Sequence, residues 1–566
     1  MAKLLTVLLR PRKLPTIAWL LLAASGSAFS GSSPMQIGRE GGTLVVAQRA
    51  QPKTFNPVTA LDNPSREIIR RTTGDLISIN RETQQTEPSL AESWTVSKDG
   101  LHYTVRLRPN LRFSDGHPFS ADDVVFSFRV WLDDKIASPQ RDLLIVGGKP
   151  IAVAKEDDRT VRFDLAAPYA AAERIFDSVA MLPRHLLQKA YDEGHFAQVW
   201  NLGTPPADIT GLGPFRLKEY RPGDRVILER NPFYWKKDAA GHRLPYLDTL
   251  EFITVPDESA QVLRFAAGET SVLNRIGVRS LSALKPGEFQ DLGAGLEYTF
   301  LFFNLGSKAK SWFLETAFRR AVSAAIDRDA IVRLVFDGHA APLASHVPPG
   351  NKLWVDHTIP PPRYSPERAR QLLSEAGFHW NAEGRLLDRT NRAVVYSLAT
   401  SAGNEDRARI ATVIQEDLRK LGMDVTIATL EFRSLIDRVT NTRDFDACVL
   451  SLGGGDADPN SEMNVWLSSG ATHLWNPMQK QPATAWEAEI DHLMNAQSST
   501  LRYSERRKLF DRVQRIEVEQ APIVNLVSPS VIVAAKPGLG NFRPSVLDHY
   551  TLWNAEYLYW RAVGAK

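Results

Sequence analysis

The fold is decided by the stretch from Glu87 to Phe128, which reads EPSLAESWTVSKDGLHYTVRLRPNLRFSDGHPFSADDVVFSF. In its middle, LHYTVRLR alternates apolar and polar side chains, the period of a strand with one buried and one solvated face. The turn at Asp99-Gly100 connects this strand to an earlier apolar run, which predicts a β-hairpin. Ser120 then stands three residues before Asp123, a pattern typical of a capped helix start. The stretch predicts a hairpin and a helix, without residues for catalysis or metal binding.

The order of these residues resembles the signature region of the extracellular solute-binding proteins of family 5. The pattern is SLAESW followed by DG-x-x-YTVRLRPNLRFSDG-x-PF-x-ADDVVFSF, and an ordered string of this length is far more specific than a short motif. The resemblance continues in Gly211–Phe215 and Asn231–Trp235, and runs from about Gly42 to the C-terminus. Members of this family are peptide, dipeptide and nickel receptors that supply ABC importers.

The resemblance implies an α/β protein with the two-lobed periplasmic binding protein fold, whose ligand cleft closes about a hinge between the lobes. It implies three sequence-discontinuous domains. We expect domain I in residues 41–78, 204–299 and 523–566, domain II in residues 79–203, and domain III in residues 300–522. Independently of the resemblance, the helix–glycine–strand order around Gly422 indicates an α/β lobe.

Length and composition agree with this class of protein. A chain of 566 residues is too long for a single core, and 43% apolar with 23% charged residues is typical of globular proteins. The formal charge is +3, but residues 1–30 carry +4, which leaves −1 for the rest of the chain. A nearly neutral body provides no electrostatic surface for nucleic acid.

The N-terminus has the layout of a secretory signal peptide, which we place at residues 1–30. Four basic residues precede an apolar run over Ile17–Ala24, and small polar residues follow it. That run is short for a membrane span, although an uncleaved anchor is the alternative. Cys448 is the only cysteine, so no internal disulfide and no lipid-modified cysteine after the signal are expected. We therefore expect a periplasmic protein that is not a lipoprotein, with Cys448 as a buried, inert thiol.

The motifs of common enzymes and metal sites are missing from the sequence. No His-x-x-x-His spacing, Gly-x-Ser-x-Gly elbow or phosphate-binding glycine loop occurs. We therefore expect no enzymatic activity, no cofactor and no metal site. A periplasmic hydrolase on an α/β scaffold is the alternative, because distant residues can still meet in the fold.

The best candidate for a ligand site is the segment Gly453–Asn460, GGGDADPN, which follows a buried strand. Open α/β sheets bind ligands at the carboxyl ends of their strands. The resemblance aligns Asp456 with the aspartate that pairs with the α-ammonium group of a peptide in related receptors. Gly454, Gly455 and Asp458 belong to the same turn. An ordinary turn is the alternative interpretation of these residue types.

One feature distinguishes this segment from the peptide receptors. Glycines stand where those receptors commonly have a tryptophan before the aspartate, which leaves room for a bulkier solute or one that is not a peptide. Trp475 and Asn476 follow closely, and we predict that they line the pocket, since aromatic residues often do. Core packing is the alternative for Trp475.

The sequence thus predicts the periplasmic substrate-binding component of an ABC importer. It would capture a peptide or another small polar solute, such as an opine, a sugar or a metal chelate, by hinge closure. It would deliver that solute to the permease subunits and act as a monomer. A sensory or chaperone-like solute receptor is the further alternative.

Overall fold

A large mixed β-sheet and a smaller antiparallel sheet organise the chain, and helices pack on their faces. The computed structural model describes residues 34–136, 138–307, 310–453 and 456–562. The helices are α1 (Asn63–Thr72), α2 (Ala121–Leu132), α3 (Ala172–Ile175), α4 (Arg184–Asp192), α5 (Glu258–Ala266), α6 (Thr316–Ala325), α7 (Arg328–Phe336), α8 (Pro366–Glu375), α9 (Glu405–Lys420), α10 (Phe432–Asp437), α11 (Met463–Trp466), α12 (Ala485–Ser499) and α13 (Tyr503–Gln520).

The strands follow the same order along the chain. They are β1 (Thr43–Gln48), β2 (Ile77–Ile79), β3 (Thr86–Pro88), β4 (Ala91–Val96), β5 (His102–Leu107), β6 (Ile145–Val146), β7 (Lys149–Pro150), β8 (Ala152–Asp157), β9 (Thr160–Asp164), β10 (Phe215–Arg221), β11 (Arg225–Arg230), β12 (Thr249–Thr254), β13 (Val272–Leu273), β14 (Phe289–Ala294), β15 (Tyr298–Phe303), β16 (Ala340–Pro342), β17 (His379–Trp380), β18 (Leu386–Leu387), β19 (Val395–Ser401), β20 (Asp424–Leu430), β21 (Ala447–Leu452), β22 (Ile523–Ala535), β23 (Leu539–Gly540) and β24 (Tyr559–Trp560).

The small sheet contains the hairpin predicted for residues 87–128. Its strand order is β4-β5-β9-β8, and every neighbouring pair is antiparallel. Every second residue of β5 from Tyr103 to Leu107 is buried, as the alternation predicts. Helix α2 begins at the predicted cap, where the Asp123 carboxylate accepts the N–H of Ser120 at 2.9 Å. The predicted hairpin and capped helix are confirmed.

The large sheet is held together by β22. Its strand order is β10-β11-β12-β1-β13-β22-β15-β21-β19-β20, and β14 and β16 also pair with β22. The first part of β22, Ile523–Val527, pairs with β15, and its last part pairs with β13 and β14. This 13-residue strand therefore joins the half of the sheet that contains β1 to the half that contains β21.

Strands β15 and β21 are apolar on both faces because hydrophobic clusters cover both sides of this half of the sheet. The side chains that enter one cluster are Tyr298, Phe300, Phe302, Cys448 and Leu450, and those that enter the other are Leu301, Phe303, Ala447 and Val449. Cys448 is a free, fully buried cysteine, and burial raises the pKa of its thiol. The architecture is mixed α/β, as predicted.

The predicted division into three domains stays a prediction. One cluster of buried side chains runs from Leu44 through the buried face of β5 to Leu558. It includes residues assigned to both domain I and domain II, so the cores do not mark the boundary between them. The predicted signal peptide, residues 1–30, lies outside the described residues. Within the described ranges, no helix combines the length and hydrophobicity that crossing a membrane requires.

Candidate functional site

The carboxyl ends of three strands meet at one edge of the large sheet. Strand β19 pairs in parallel with both β20 and β21. Strand β15 is antiparallel to β21, with Tyr298 opposite Leu452, so its start lies at the same edge. Glu297 precedes β15, and a Cβ atom on Gly453 would lie 3.9 Å from the Cβ of Glu297. Ligands of open α/β sheets bind at an edge of this kind.

Asp456 lies at this edge and forms a two-pronged ion pair with Arg174 of α3. The Nε of Arg174 donates to Oδ2 of Asp456 at 2.6 Å, and its Nη2 donates to Oδ1. The third donor, Nη1, reaches the carbonyl of Gln84 at 2.9 Å. Burial lowers the pKa of Arg174, but the hydrogen bonds and charge of Asp456 outweigh it, so that the pKa is raised. The carboxylate predicted to bind an ammonium group is thus already neutralised by a guanidinium.

Asp458 holds the turn against helix α13. It accepts hydrogen bonds from Nη1 and Nη2 of Arg506 at 2.6 and 2.5 Å, and both side chains are 5% exposed. It also accepts the N–H of Asn460 at 3.0 Å. Asp458, Arg506 and the backbone of Asn460 therefore form an internal support for the Asp456 turn. Gly454 and Gly455, the other predicted members of the turn, lie outside the described residues.

Trp475 and Asn476 lie at the opposite end of β15 from the Asp456 turn. The carbonyl of Trp475 accepts the N–H of Leu305 at 2.8 Å, just beyond the last residue of that strand. Six strand residues span roughly 20 Å, so the structure does not bring this backbone close to Asp456. The Trp475 side chain is buried, and its ring centroid is 4.0 Å from that of His473. Asn476 is half-buried.

The structure adds a group of charged residues that the sequence did not reveal. Arg275 donates from Nη2 to Glu297 Oε2 at 2.9 Å and from Nη1 to the Tyr550 hydroxyl at 3.3 Å. Arg407, in the first turn of α9, donates from Nη2 to the hydroxyl of Ser401 at 2.7 Å. We call Arg275, Glu297, Arg407 and Tyr550 the arginine cluster.

Two ion pairs connect the segment around Arg279 to the start of α9. Arg279 pairs with Glu405 and, at 3.0 Å, with Asp406, both at the start of α9. Arg279 therefore lies against the start of the helix that follows β19. One property of Arg407 was visible in the sequence. It is a cation in the first turn of a helix, where acidic residues are favoured.

Burial and charge act in opposite directions on the arginine cluster. Burial lowers the pKa of Arg407, and the charge of Glu297 opposes this only in part. Burial acts in the same direction on Arg275, but there the charges of Tyr550 and Glu297 outweigh it and raise the pKa. Burial also raises the pKa of Tyr550. Negative charge nearby thus outweighs the effect of burial on the pKa at Arg275 but not at Arg407.

A small cavity lies beneath the Asp456 turn. Its volume is about 20 Å³, and its lining includes Asp456, Asp458, His346 and Glu462. His346 is paired through Nδ1 with the buried carboxylate of Glu517 at 2.6 Å. A cavity of this size holds about one water molecule, so a solute has no room there. In the described part of the chain, no group of three or more His, Cys, Asp or Glu residues is arranged to hold a metal ion.

The fold and this sheet edge define a two-lobed periplasmic binding protein. The profile of the bacterial extracellular solute-binding proteins, family 5, middle region, matches residues 85–473. The chain belongs to this family, as its sequence predicted. The function common to the family is the binding of solutes rather than catalysis.

Full-length relatives support the same assignment. A probable ABC transporter-binding protein of Deinococcus radiodurans is 29% identical over 521 residues, which cover 87% of each chain. The oligopeptide-binding protein AppA of Bacillus subtilis is 28% identical over 551 residues, 95% of this chain and 96% of AppA. The structure of AppA in complex with a nonapeptide superposes with a TM-score of 0.68 at 26% identity, covering 94% of this chain and all of that one.

Proposed function

We propose that this protein is the periplasmic substrate-binding component of an ABC importer, and that it captures a peptide or a similar small polar solute. The observation that carries the proposal is the full-length similarity to the oligopeptide-binding protein AppA, in both sequence and structure. Similarity that spans the whole chain preserves the architecture needed for capture between two lobes. The solute would then be released to permease subunits in the membrane.

Capture by hinge closure requires contacts that can open. The segments around Gln84 and Arg174, assigned to domain II, meet residues assigned to domain III through a small number of polar contacts. Besides the Arg174–Asp456 pair, Gln84 Nε2 donates to the Gly350 carbonyl at 2.6 Å, and Lys352 Nζ donates to the Glu82 carbonyl at 3.0 Å. The Lys352–Glu82 contact is exposed, and the Gln84–Gly350 contact is buried. Because each is a polar contact with a small net free energy, a bound solute can shift the equilibrium between open and closed forms.

Asp456 remains our proposed contact for a cationic group of the solute. An ammonium group would then share the carboxylate with Arg174 or displace its guanidinium. Gly453 and the two glycines that follow it carry no side chains, which supports space for a solute beside Asp456.

Native mass spectrometry of protein purified from the periplasm tests the proposal. We expect a mass lacking about 30 N-terminal residues and a second mass that corresponds to a bound peptide or other small solute. A solute at 100 times its dissociation constant should stabilise the protein by about 2.7 kcal/mol, measured by urea unfolding. Chemical turnover of the released compound by the purified protein alone would contradict the proposal, as would retention of the full-length mass in the cytoplasm.

A further inference from the structure

The tip of the β2–β3 hairpin, residues 80–85, contains a residue in an unusual conformation. Gln84 has a left-handed backbone with a φ of 64°, which glycine adopts freely and a residue with a Cβ atom adopts at a cost. Its side chain is fully buried. A residue in this conformation persists only where surrounding contacts hold it, and such residues concentrate at sites where a conformation has a function.

Each polar atom of Gln84 forms a hydrogen bond. Its backbone N–H donates to the Asn80 carbonyl within the hairpin tip, and its carbonyl accepts Nη1 of Arg174, the side chain that pairs with Asp456. The side-chain amide reaches a distant loop, where Nε2 donates to the Gly350 carbonyl and Oε1 accepts the N–H of residue 352 at 2.9 Å. The amide therefore pairs with the backbone of residues 350–352 as a neighbouring strand would.

Residues 350–352, which we call the hub segment, also contact the point where the chain passes from β14 to β15. Those two strands pair with different parts of β22, so this point lies between the two halves of the large sheet. A Cβ atom on Gly350 would be 2.2 Å from the carbonyl oxygen of Ala294 and 2.6 Å from that of Gly295. The hub segment thus lies directly against the backbone that connects the two halves.

The hub segment reaches the Asp456 turn as well. Nδ2 of Asn351 donates to the carbonyl of Ala457 at 2.8 Å, and this contact is buried. Gln84 is therefore connected to the Asp456 turn in two ways, through Arg174 and through the hub segment. Separation of the hairpin tip from the hub segment breaks both amide contacts of Gln84 at once.

We propose that Gln84 is the latch of the closed form, a positioning residue that holds the hairpin tip on the hub segment and couples closure to the position of the Asp456 turn. In the open form water replaces both amide contacts, so their net effect is small. Two neutral hydrogen bonds change an equilibrium by about tenfold, which favours closure and still permits release. The inference rests on the proposed function, and it adds the residue that sets the balance between the two forms.

The test measures the closed fraction by double electron–electron resonance between two nitroxide labels. The labels are attached at Asp158→Cys, between β8 and β9, and at Asp444→Cys, before β21, where the side chains are 86% and 80% exposed. Cys448 is fully buried, so the introduced cysteines are the ones that react. Distances are measured without solute and with an equimolar mixture of di- to tetrapeptides, whose binding is followed by native mass spectrometry.

The test variant is Gln84→Met, which keeps the length of the side chain and removes its amide. We expect the ratio of closed to open protein to fall about tenfold, and the apparent dissociation constant for peptides to rise by about the same factor. Gln85→Met, at the exposed neighbouring glutamine, is the matched control and should change neither quantity. If Gln84→Met gives little folded protein, Gln84→Gly accepts the left-handed backbone and should open the protein to the same extent.

The outcomes separate this inference from the proposed function. Equal distance distributions in wild type and in the Gln84 variants overturn the latch, while peptide binding that persists leaves the proposed function standing. If no peptide binds, peptide capture fails, and the distances measured without solute still decide the latch. A lower free energy of unfolding in Gln84→Gly without a change in the closed fraction gives Gln84 a purely structural role and overturns the latch.

Discussion

Breaking the Arg174–Asp456 pair should measurably destabilise the protein, because the pair connects two distant parts of the chain. The Arg174 side chain is 11% exposed and that of Asp456 is 28% exposed, so the pair lies between a buried and a surface ion pair. Removing one partner of a fully buried pair costs about 3–5 kcal/mol, and an exposed pair contributes about 0–1 kcal/mol. For this intermediate pair with two hydrogen bonds, we expect a coupling free energy of about 1–2 kcal/mol.

The assay is a double-mutant cycle of urea unfolding with wild type, Arg174→Gln, Asp456→Asn and the double variant. The matched control is the cycle for Arg385 and Asp424, whose side chains are 53% and 54% exposed at 3.1 Å and whose coupling should be close to zero. A coupling below about 0.3 kcal/mol for Arg174 and Asp456 would refute the reasoning, because it would equal the error of additivity.

Two further predictions concern the support of the site and its pH dependence. Asp458→Ala should destabilise the protein by about 3–5 kcal/mol in urea unfolding, because it leaves the buried guanidinium of Arg506 unpaired; Asp458→Ala with Arg506→Met should recover part of this loss. Burial raises the pKa of Asp177, but Arg70 and Arg81 outweigh it and lower that pKa to about 2. The Asp177 carboxylate therefore contributes about 2 kcal/mol to the free energy of unfolding. This contribution is complete above the ordinary aspartate pKa of about 4 and is lost as the pH falls towards 2. Asp177→Asn should flatten that part of the curve of unfolding free energy against pH, and an unchanged curve would contradict the lowered pKa of Asp177.

Local patterns in the sequence predicted the local structure well. The alternation around Tyr103 and the cap at Ser120 act between neighbouring residues, so they are visible in one short stretch. The run Tyr298–Phe303 is apolar without alternation because separate hydrophobic clusters cover both faces of β15. The position of Asp456 after a buried strand was visible for the same reason: strand ends are local features.

The partners of these residues were not predictable from local patterns. Arg174 lies 282 residues before Asp456, and no spacing rule connects them. Trp475 looked like a pocket residue because aromatic side chains line pockets, but aromatic side chains also fill cores, and composition does not separate the two. Only the pairing of its backbone with Leu305 shows which end of β15 it occupies.

The pairing of Asp456 changes where selectivity should reside. A solute ammonium that displaces Arg174 exchanges one charge-assisted contact for another, and the net free energy of such an exchange is small. If Arg174 is the competitor, Arg174→Gln should strengthen the binding of a cationic solute, whereas Arg409→Gln, at an exposed arginine of α9, should not. The ammonium contact should therefore contribute little to selectivity while Arg174 occupies Asp456.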